Sequence, residues 1–411
     1  SMDLGLERIS QVAQALELLP VSAPVVTIAG TNGKGSTAAM LEAILLQVGR
    51  RPGCFTSPHF LRFNERIRIG GQEVDDDDIV RAFESIEQAR GVVSLTYFEF
   101  AALAALIVFE ELGADTYILE VGLGGRLDAV NIVDADVAII TSIDLDHQEW
   151  LGDSLGVIAR EKAAIARRGR PVVVGETRLL PELRQRLENI GADPIYQIGR
   201  DFDFASKGDQ WSGRLTGSGG EELELSPQNN GPLAPENICC ALQAAMLMGV
   251  RLSETELEQA LGRVDIPGRR QLLHIGDREY LLDVAHNPAA VGKLLEYIDE
   301  NPGKGRTVAL FSAMQDKDLA TMLQHCEGYV DAWFLAEQPD NERAASAGQI
   351  AALLREAGQG MISESKNIRQ AFRRAQSLLT ENDRLVVFGS FFTVAAVLSQ
   401  LEKERKKDRA C

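Results

Sequence analysis

The sequence predicts an α/β protein in which two domains each carry a mostly parallel sheet. Short apolar runs, many of them β-branched, alternate with helix-prone segments, a rhythm typical of parallel sheets with helices on both faces. At 411 residues the chain is too long for one ordinary core, so two domains are expected. The rhythm breaks at IPGRRQ, residues 266–271, and then restarts. We therefore place the boundary between domains 1–267 and 268–411.

The predicted elements of the first domain follow this rhythm. Apolar runs predict strands over 25–29, 116–121, 136–141 and 171–174, and a short segment, 52–55, follows the first helix. Helical patterns are found over 36–47, 75–90, 97–112, 154–167, 234–249 and 253–262. The glycine-rich stretch 196–225 contains short alternating pieces and predicts a β-meander or a flap.

The second domain is predicted to be a smaller α/β unit. A hairpin is expected from residues 272–275 and 280–284, and strands recur over 307–311, 332–336 and 384–388. Helices lie between these strands, and a charged helix ends the chain. The pattern predicts a Rossmann-like C-terminal domain.

The composition limits the partners of this chain. Its formal net charge of −18 would repel nucleic acid and acidic membrane surfaces, so neither is an expected partner. The apolar helical run 100–109 is about half the length of a membrane span. The five cysteines form no C-x-x-C pair, and we expect a reducing, cytoplasmic location. An anionic substrate must then meet a local basic pocket.

A glycine-rich loop follows the first predicted strand. In the segment GTNGKGS, residues 30–36, the glycines let backbone N–H groups turn toward one point at the positive end of the next helix. Lys34 adds a full charge. The spacing differs from Walker A, because two residues separate the first glycines and Gly35 follows the lysine. The loop predicts a P-loop-type site for several phosphates; the alternative is a tight turn with a surface lysine.

Two residues after neighbouring strands suggest a metal site. Glu120 ends the strand TYILEV, and His147 lies in the loop that follows DVAIIT. If both strands flank the phosphate-loop strand, these side chains lie near the terminal phosphates. Oxygen and imidazole ligands together with phosphate suit Mg²⁺ or Mn²⁺. The alternatives are a carboxylate that caps a strand end and a structural histidine.

Nine motifs together resemble one enzyme family. They resemble, in order, those of the bacterial dihydrofolate synthase/folylpolyglutamate synthases of the Mur ligase superfamily: GTNGKGS (30–36), TSPH (56–59), LTYFE (95–99), LEVGLGGRLDAVN (119–131), DHQEWLG (146–152), REKA (160–163), PGR (267–269), DVAHNP (283–288) and FGSF (388–391). The resemblance covers nearly the whole chain. It implies an ATP-dependent amide ligase that adds L-glutamate to 7,8-dihydropteroate and to tetrahydrofolates through an acyl phosphate. It also implies a monomer in which closure of a cleft between the domains excludes water.

The resemblance assigns roles by position. ATP would be held by Thr31, Asn32, Gly33, Lys34, Gly35, Ser36, Asn237, Arg269 and Asp283. Mg²⁺, two ions being expected, would be bound by Ser57, Glu120 and His147. Lys162 resembles a lysine that this superfamily carbamylates to support a second metal; the alternative is an exposed helical lysine. Lys34, Lys162, His147 and Glu120 would therefore form the catalytic group.

The same resemblance places the other two substrates. The pterin would bind Met2, Asp3, Leu4, Gly5, Thr96, Phe98, Leu127, Asp128 and Ala129. L-Glutamate would bind His286 and Ser390. The sequence departs from many bacterial relatives at Phe392, where they carry a histidine. Two other functions stay open: another Mur-superfamily amino-acid ligase, favoured less by LTYFE and DLGLER, and a nucleotide-binding switch without ligation chemistry.

Overall fold

The computed structural model describes residues 4–408 except positions 208, 209, 230 and 277. The chain forms two compact units, Ser1–Asp265 and Ile266–Cys411. Each unit has its own sheet and its own core, and each is described here separately. Among the described residues, no helix combines the length and the apolar character that crossing a bilayer requires.

The first unit contains a large, mostly parallel sheet. Its strands and those of a smaller sheet are β1 (Val25–Ala29), β2 (Pro52–Phe55), β3 (Ile67–Ile69), β4 (Gln72–Glu73), β5 (Thr116–Glu120), β6 (Val137–Ile140), β7 (Val172–Val174), β8 (Ile195–Gln197), β9 (Asp203–Lys207), β10 (Gln210–Thr216) and β11 (Glu222–Asn229). The large sheet has the order β4-β3-β2-β5-β1-β6-β7-β8. Strands β2, β5, β1, β6, β7 and β8 run parallel, and β3 and β4 extend one edge antiparallel. Strand β1 therefore lies between β5 and β6, as the proposed metal site requires.

The helices of the first unit cover both faces of this sheet. They are α1 (Glu7–Ala15), α2 (Lys34–Gln47), α3 (Asp76–Arg90), α4 (Tyr97–Glu111), α5 (Gln148–Leu151), α6 (Leu155–Ala163), α7 (Pro181–Ile190), α8 (Pro235–Leu247) and α9 (Glu254–Arg263), with 3₁₀ turns at Phe63–Arg66 and Ala129–Ile132. On one face, alternate strand residues such as Leu119 and Val121 join a core with α1, α3, α4, α6 and α7. On the other face, α2 packs on β1, β2 and β5, and α8 packs on β6 and β7. Glu120 lies between Leu119 and Val121 in sequence, so the strand alternation places it on the α2 face.

The predicted meander is present, but it begins later than expected. Strand β8, at the start of the predicted range, belongs to the parallel sheet, whereas β9, β10 and β11 form a separate antiparallel sheet. Helix α7 was not predicted. Its apolar stripe is short, because Leu183 and Leu187 are its fully buried leucines.

The second unit is a six-stranded α/β layer structure. Its elements are β12 (Gln271–Ile275), β13 (Arg278–Leu282), α10 (Pro288–Glu300), β14 (Thr307–Phe311), α11 (Leu319–His325), β15 (Ala332–Ala336), α12 (Ala347–Glu356), β16 (Ile362–Ser365), α13 (Ile368–Leu378), β17 (Arg384–Phe388) and α14 (Phe391–Asp408). The strand order is β12-β13-β17-β14-β15-β16, and only β12 runs antiparallel to its neighbour. Helices α10, α11 and α12 contribute to the core on one face. Helices α13 and α14 pack against each other and against strands of the sheet.

Candidate functional site

The glycine loop leads directly into helix α2. The helix begins at Lys34, two residues before the predicted start, with Gly33 as its N-cap residue at φ +86°. A Cβ atom at Gly33 would lie 2.3 Å from Oδ1 of Asn237, and a side chain at that φ is strained in any case. Both the backbone conformation and the close approach therefore require glycine. The contact also places Asn237, a predicted nucleotide residue on α8, against the loop.

The first half of the loop is bonded to the segment that follows β6. Thr31 N–H donates to the Ser142 carbonyl at 2.8 Å, and Asn32 N–H donates to Ser142 Oγ at 2.9 Å. The Thr31 hydroxyl donates to the Asp144 carbonyl at 3.1 Å. A Cβ atom at Gly30 would lie 1.8 Å from Thr141 Oγ1, so the two segments touch through a position that only glycine fits.

These bonds narrow the expectation that the whole loop presents N–H groups to phosphate. The N–H groups of Thr31 and Asn32 have acceptors within the protein. The N–H groups of Gly33, Lys34, Gly35 and Ser36 belong instead to the first turn of α2, where the helix itself supplies no acceptor. The predicted anion site is therefore limited to the start of α2 and no longer includes the complete loop.

The Lys34 ammonium lies over the loop. Its Nζ donates to the carbonyls of Gly30 at 2.9 Å and Thr31 at 3.4 Å. Its positive charge also contributes to lowering the pKa of Lys162 and opposes the rise in the pKa of Asp128. The loop lysine and the two other predicted residues therefore share one electrostatic environment.

Glu120 is a buried carboxylate at the end of β5. It is 2% exposed, and its backbone pairs with Ile28 on the phosphate-loop strand. Its Oε2 accepts a hydrogen bond from Ser57 N–H at 2.9 Å. Two of the three predicted metal ligands are therefore adjacent, although they are far apart in sequence.

The third predicted ligand, His147, has a left-handed backbone conformation at φ +51° and is the N-cap residue of the short helix α5. Its Nε2 lies 3.9 Å from Oδ2 of Asp146, and about a third of its side chain is exposed. Within the described ranges, no three His, Cys, Asp or Glu side chains gather into a metal-binding group. The predicted set contains one carboxylate, one imidazole and one hydroxyl. That set fits a hard cation such as Mg²⁺, which keeps several bound waters and also binds the substrate phosphates. It has too few protein ligands to surround a cation by itself.

Lys162 is not the exposed helical lysine of the alternative interpretation. It is 3% exposed, on the last turn of α6. Burial and the charge of Lys34 lower its pKa to about 7, against the raising effect of Asp146, Asp128 and Asp144. A substantial fraction of the amine is therefore neutral at physiological pH.

Asp144 and Asp146 act electrostatically on Lys162, and neither is among the predicted site residues. A signal was present: carboxylates at alternate positions directly after a buried strand that flanks the phosphate-loop strand. Their charges act on Lys162, as described above.

Asp128 holds the loop that follows β5. Its Oδ2 accepts from Leu123 N–H at 2.8 Å, and its Oδ1 accepts from Val130 N–H at 3.1 Å. Burial raises its pKa to about 6, and these backbone hydrogen bonds and Lys34 oppose the rise. Asp128 therefore already has a structural function in this loop. Its predicted contact with the pterin stays a prediction.

The other predicted pterin residues lie on elements that pack together. Thr96 caps helix α4: its Oγ1 accepts from Glu99 N–H at 3.2 Å, and its own N–H donates to the Glu99 carboxylate. The Phe98 ring lies where a Cβ atom at Gly122 would be, with 2.6 Å to the nearest ring carbon. Helix α1, which follows Leu4 and Gly5, contacts α4 and the 3₁₀ turn Ala129–Ile132.

An ion pair joins α1 to α4, since Nη2 of Arg8 lies 3.0 Å from Oε1 of Glu99. In this region Ala129 is buried and Leu127 is half-buried. Met2 and Asp3 lie outside the described residues. The structure therefore gathers the segments that contain the other predicted pterin residues, and their contact with a pterin stays a prediction.

The predicted residues of the second unit gather at the carboxyl ends of β13 and β17. Asp283 accepts from Arg270 N–H at 2.9 Å and from Ala285 N–H at 2.8 Å, and burial raises its pKa. The Arg269 guanidinium lies 5.4 Å from the centre of the Phe391 ring. Nδ1 of His286 lies 2.7 Å from the Val284 carbonyl oxygen.

Ser390 lies in a buried network of neutral polar groups. It is 3% exposed, and its Oγ accepts from Thr393 N–H at 3.1 Å and lies 2.7 Å from Thr393 Oγ1. Gln338 Nε2 donates to Oγ of Ser390 at 3.4 Å and to Oγ of Ser312 at 3.0 Å. The nucleotide roles of Arg269 and Asp283 and the glutamate roles of His286 and Ser390 stay predictions.

Comparison with known proteins decides the family. Residues 28–242 match the Mur ligase middle domain, and residues 268–391 match the glutamate ligase domain of Mur ligases. The dihydrofolate synthase/folylpolyglutamate synthase of Escherichia coli is 39% identical over 98% of this chain and 93% of its own length. The chain belongs to the dihydrofolate synthase/folylpolyglutamate synthase family. The resemblance seen in the nine motifs is thereby confirmed.

Solved structures of this family have the same fold. Escherichia coli FolC in complex with DHPP and ADP matches with a TM-score of 0.91 and 38% identity, over 98% of this chain and 94% of that chain. A bifunctional folylpolyglutamate synthase/dihydrofolate synthase with Mn, AMPPNP and L-glutamate bound matches with a TM-score of 0.89 and 40% identity, over 98% and 95%. The predicted fold class is confirmed: a large parallel-dominated N-terminal sheet and a separate C-terminal α/β domain.

Proposed function

We propose that this chain is an ATP-dependent carboxylate–amine ligase that joins L-glutamate to 7,8-dihydropteroate and to tetrahydrofolates. The observation that carries the proposal is the position of Lys34, which begins helix α2 directly after β1. Strand β1 is flanked by β5 and β6, the strands that lead to Glu120 and His147. Relatives of this family bind ADP, AMPPNP, Mn, L-glutamate and DHPP, and these ligands correspond to the substrates of such a ligase.

The first half-reaction activates the acceptor. A carboxylate resists attack by an amine because its negative charge shields the carbonyl carbon. A carboxylate oxygen of the acceptor attacks the γ-phosphorus of ATP, the bond to the β,γ-bridging oxygen breaks, and ADP leaves. Lys34 and the N–H groups of Gly33 to Ser36 hold the phosphates and offset the charge that develops on the transferred group.

The second half-reaction forms the amide. The neutral amine of L-glutamate attacks the acyl carbon, the C–O bond to phosphate breaks, and inorganic phosphate leaves as the nitrogen loses a proton. Ser57, Glu120 and His147 would hold a divalent cation, which when bound neutralises phosphate charge. These residues act by positioning and electrostatics, so no covalent enzyme intermediate is expected.

Lys162 is proposed to be carbamylated. Its neutral Nζ would add to CO₂ and lose a proton, which replaces a buried cation with a carbamate anion. Burial among Asp128, Asp144 and Asp146 supports the availability of the neutral amine. The carbamate would supply an oxygen ligand for a second divalent cation.

The test is an ADP-release assay with each acceptor, with and without L-glutamate. The proposal expects sustained ADP release to require both an acceptor acid and L-glutamate. ATP hydrolysis that is equally fast without them would contradict it and favour the nucleotide switch. Equal turnover with another amino acid in place of glutamate would favour a different Mur ligase. The assay also shows whether one or both acceptors are used. A monomer, a cytoplasmic location and the absence of nucleic-acid and membrane partners remain predictions.

A further inference from the structure

Arg66 is a buried arginine beside the proposed metal ligands. It ends the 3₁₀ turn Phe63–Arg66, directly before β3, and is 7% exposed. Its carbonyl accepts from Thr56 N–H at 3.0 Å. The next residue along that segment, Ser57, donates its N–H to Glu120. Arg66 therefore lies next to the corner that Ser57 and Glu120 form.

The partners of the Arg66 guanidinium are neutral. Its Nε donates to Nδ1 of His59 at 2.7 Å, and its Cζ lies 5.4 Å from the centre of the Tyr97 ring and 5.9 Å from that of Phe63. Within the described part of the chain, the Arg66 guanidinium makes no other hydrogen bond and no ion pair. The carboxylate of the preceding residue, Glu65, accepts backbone N–H groups of residues 60–62 instead.

Arg68, two residues later, has a different kind of partner from Arg66. Arg68 is also largely buried, and its Nη2 lies 2.7 Å from Oε2 of Glu42. An arginine that is buried without a carboxylate partner carries an uncompensated desolvation cost. Burial accordingly lowers the pKa of Arg66, against the raising effects of Tyr97, Glu120 and Glu65. Among the described residues, no carboxylate is paired with the Arg66 guanidinium, and the carboxylate of a ligand can take that place.

The position of Arg66 identifies the class of anion. Tyr97, whose ring lies against the guanidinium, stands between Thr96 and Phe98 in the sequence, so Arg66 adjoins the predicted pterin segment. The charge of Glu120 also acts on Arg66. An acceptor that binds along α4 must bring its carboxylate past this point to reach the phosphates. A planar guanidinium matches a carboxylate through two parallel N–H bonds, and flanking rings hold its plane.

We propose that Arg66 binds the carboxylate of the acceptor acid and orients one oxygen toward the γ-phosphoryl group. This inference rests on the proposed ligase function. The hydrogen bond to His59 uses Nε, and among the described residues no side chain is bonded to the terminal nitrogens, which can bind the substrate.

The experiment compares an acceptor acid with its neutral analogue. Affinities of dihydropteroate and of its carboxamide are measured by titration calorimetry, with a non-hydrolysable ATP analogue present. The wild type is expected to prefer the acid by about 10- to 100-fold, the range for hydrogen bonds to a charged group. Arg66→Gln should lose most of this preference, through weaker binding of the acid and unchanged binding of the amide. Arg66→Lys should keep part of it.

The matched control is Arg62→Gln. Arg62 is exposed, precedes the same 3₁₀ turn and pairs with the exposed Asp76. It should retain the wild-type preference. In steady-state assays, Arg66→Lys should raise the KM for the acceptor and leave the KM for ATP unchanged.

Three results would overturn the inference. The wild type could bind acid and amide equally, Arg66→Gln could retain the acid preference, or the variant could weaken nucleotide instead of acceptor binding. If Arg66→Gln does not fold, as judged by circular dichroism, an unchanged preference in Arg66→Lys has the same meaning. If the wild type ligates glutamate but the Arg66 variants keep the preference for the acid over the amide, only the role of Arg66 is refuted. A wild type without glutamate-dependent turnover refutes the proposed function.

Discussion

Each unit carries a buried polar cluster at the carboxyl ends of its central strands, and the two clusters differ in charge. In the first unit the cluster contains ionisable groups, Glu120, Asp128 and Lys162, each at most 3% exposed. In the second unit it contains the neutral groups of Ser312, Gln338, Ser390 and Thr393, joined by hydrogen bonds. Both clusters lie where ligands meet parallel sheets.

The difference separates two kinds of site. Buried charges are costly unless they are paired, and they shift pKa values, as Lys162 and Asp128 show. Such groups are expected where charge moves during reaction. A satisfied network of hydroxyls and amides is less costly and holds elements in register. We therefore expect substitutions in the first cluster to lower kcat, and substitutions in the second to alter stability and the KM for one substrate.

The largest effect is expected for Lys34→Met. Loss of this charge beside the start of α2 should lower kcat on the order of 10³-fold, because a preorganised donor to the transferring phosphoryl group is removed. Steady-state ADP release measures it. Lys207→Met, which alters an exposed lysine on β9 of the same unit, should retain activity. A loss below about tenfold for Lys34→Met would place the phosphate site elsewhere.

The second largest effect is expected at Lys162. Lys162→Ala should lower kcat on the order of 10²-fold, since the carbamate that supports the second cation is lost. Lys162→Arg keeps a positive charge but cannot form the carbamate, so it should be about as inactive. Addition of a short carboxylic acid should partly restore Lys162→Ala. If Lys162→Arg retains full activity, the residue acts as a cation and the carbamate proposal is wrong.

A pair of glycine substitutions sharpens the account of the phosphate loop. Gly33 and Gly49 both have positive φ, +86° and +75°, but only the Gly33 position faces a side chain, that of Asn237. Gly49→Ala should cost about 1 kcal/mol through φ alone. Gly33→Ala should cost about 1 to 3 kcal/mol more, through the contact with Asn237. Urea unfolding measures both values, and equal costs would mean that Asn237 moves freely.

The smallest effect is expected for Ser390→Ala in the second cluster. Loss of the cap on Thr393 should reduce the unfolding free energy by about 1 kcal/mol, with kcat maintained. The KM for L-glutamate should rise if the predicted contact exists. Ser346→Ala removes an exposed cap on α12, where Gln349 N–H donates to Ser346 Oγ at 3.1 Å, and should leave that KM unchanged. If Ser390→Ala lowered kcat as much as Lys34→Met, the two clusters would not differ in function as proposed.

Local sequence patterns predicted much of this architecture. The strands Val25–Ala29, Thr307–Phe311, Ala332–Ala336 and Arg384–Phe388 have their predicted bounds, because each is a short apolar run between loop or helix signals. Strand β1 lies between β5 and β6, which is the arrangement that the predicted site at Glu120 and His147 requires. Helix starts were less accurate. Helix α2 begins at Lys34 because Gly33 takes the left-handed cap conformation, which composition alone does not specify.

Side-chain environments were harder to predict, because tertiary packing decides them. Arg66 and Arg68 occur in one motif, RIR, yet Glu42 on a distant helix pairs only with Arg68. Lys162 follows Arg160 and Glu161, a pattern typical of a surface helix, but its own side chain is buried. The resemblance, and not the charge pattern, pointed to Lys162.

An isotope experiment tests the central claim, acyl activation at the start of α2, most directly. Dihydropteroate labelled with ¹⁸O in its carboxylate is incubated with ATP and L-glutamate, and the released phosphate is analysed by mass spectrometry. If the carboxylate oxygen attacks the γ-phosphorus, each phosphate released during amide formation carries one ¹⁸O atom. Unlabelled phosphate accompanying amide formation would show that the carboxylate is never phosphorylated and would contradict the account.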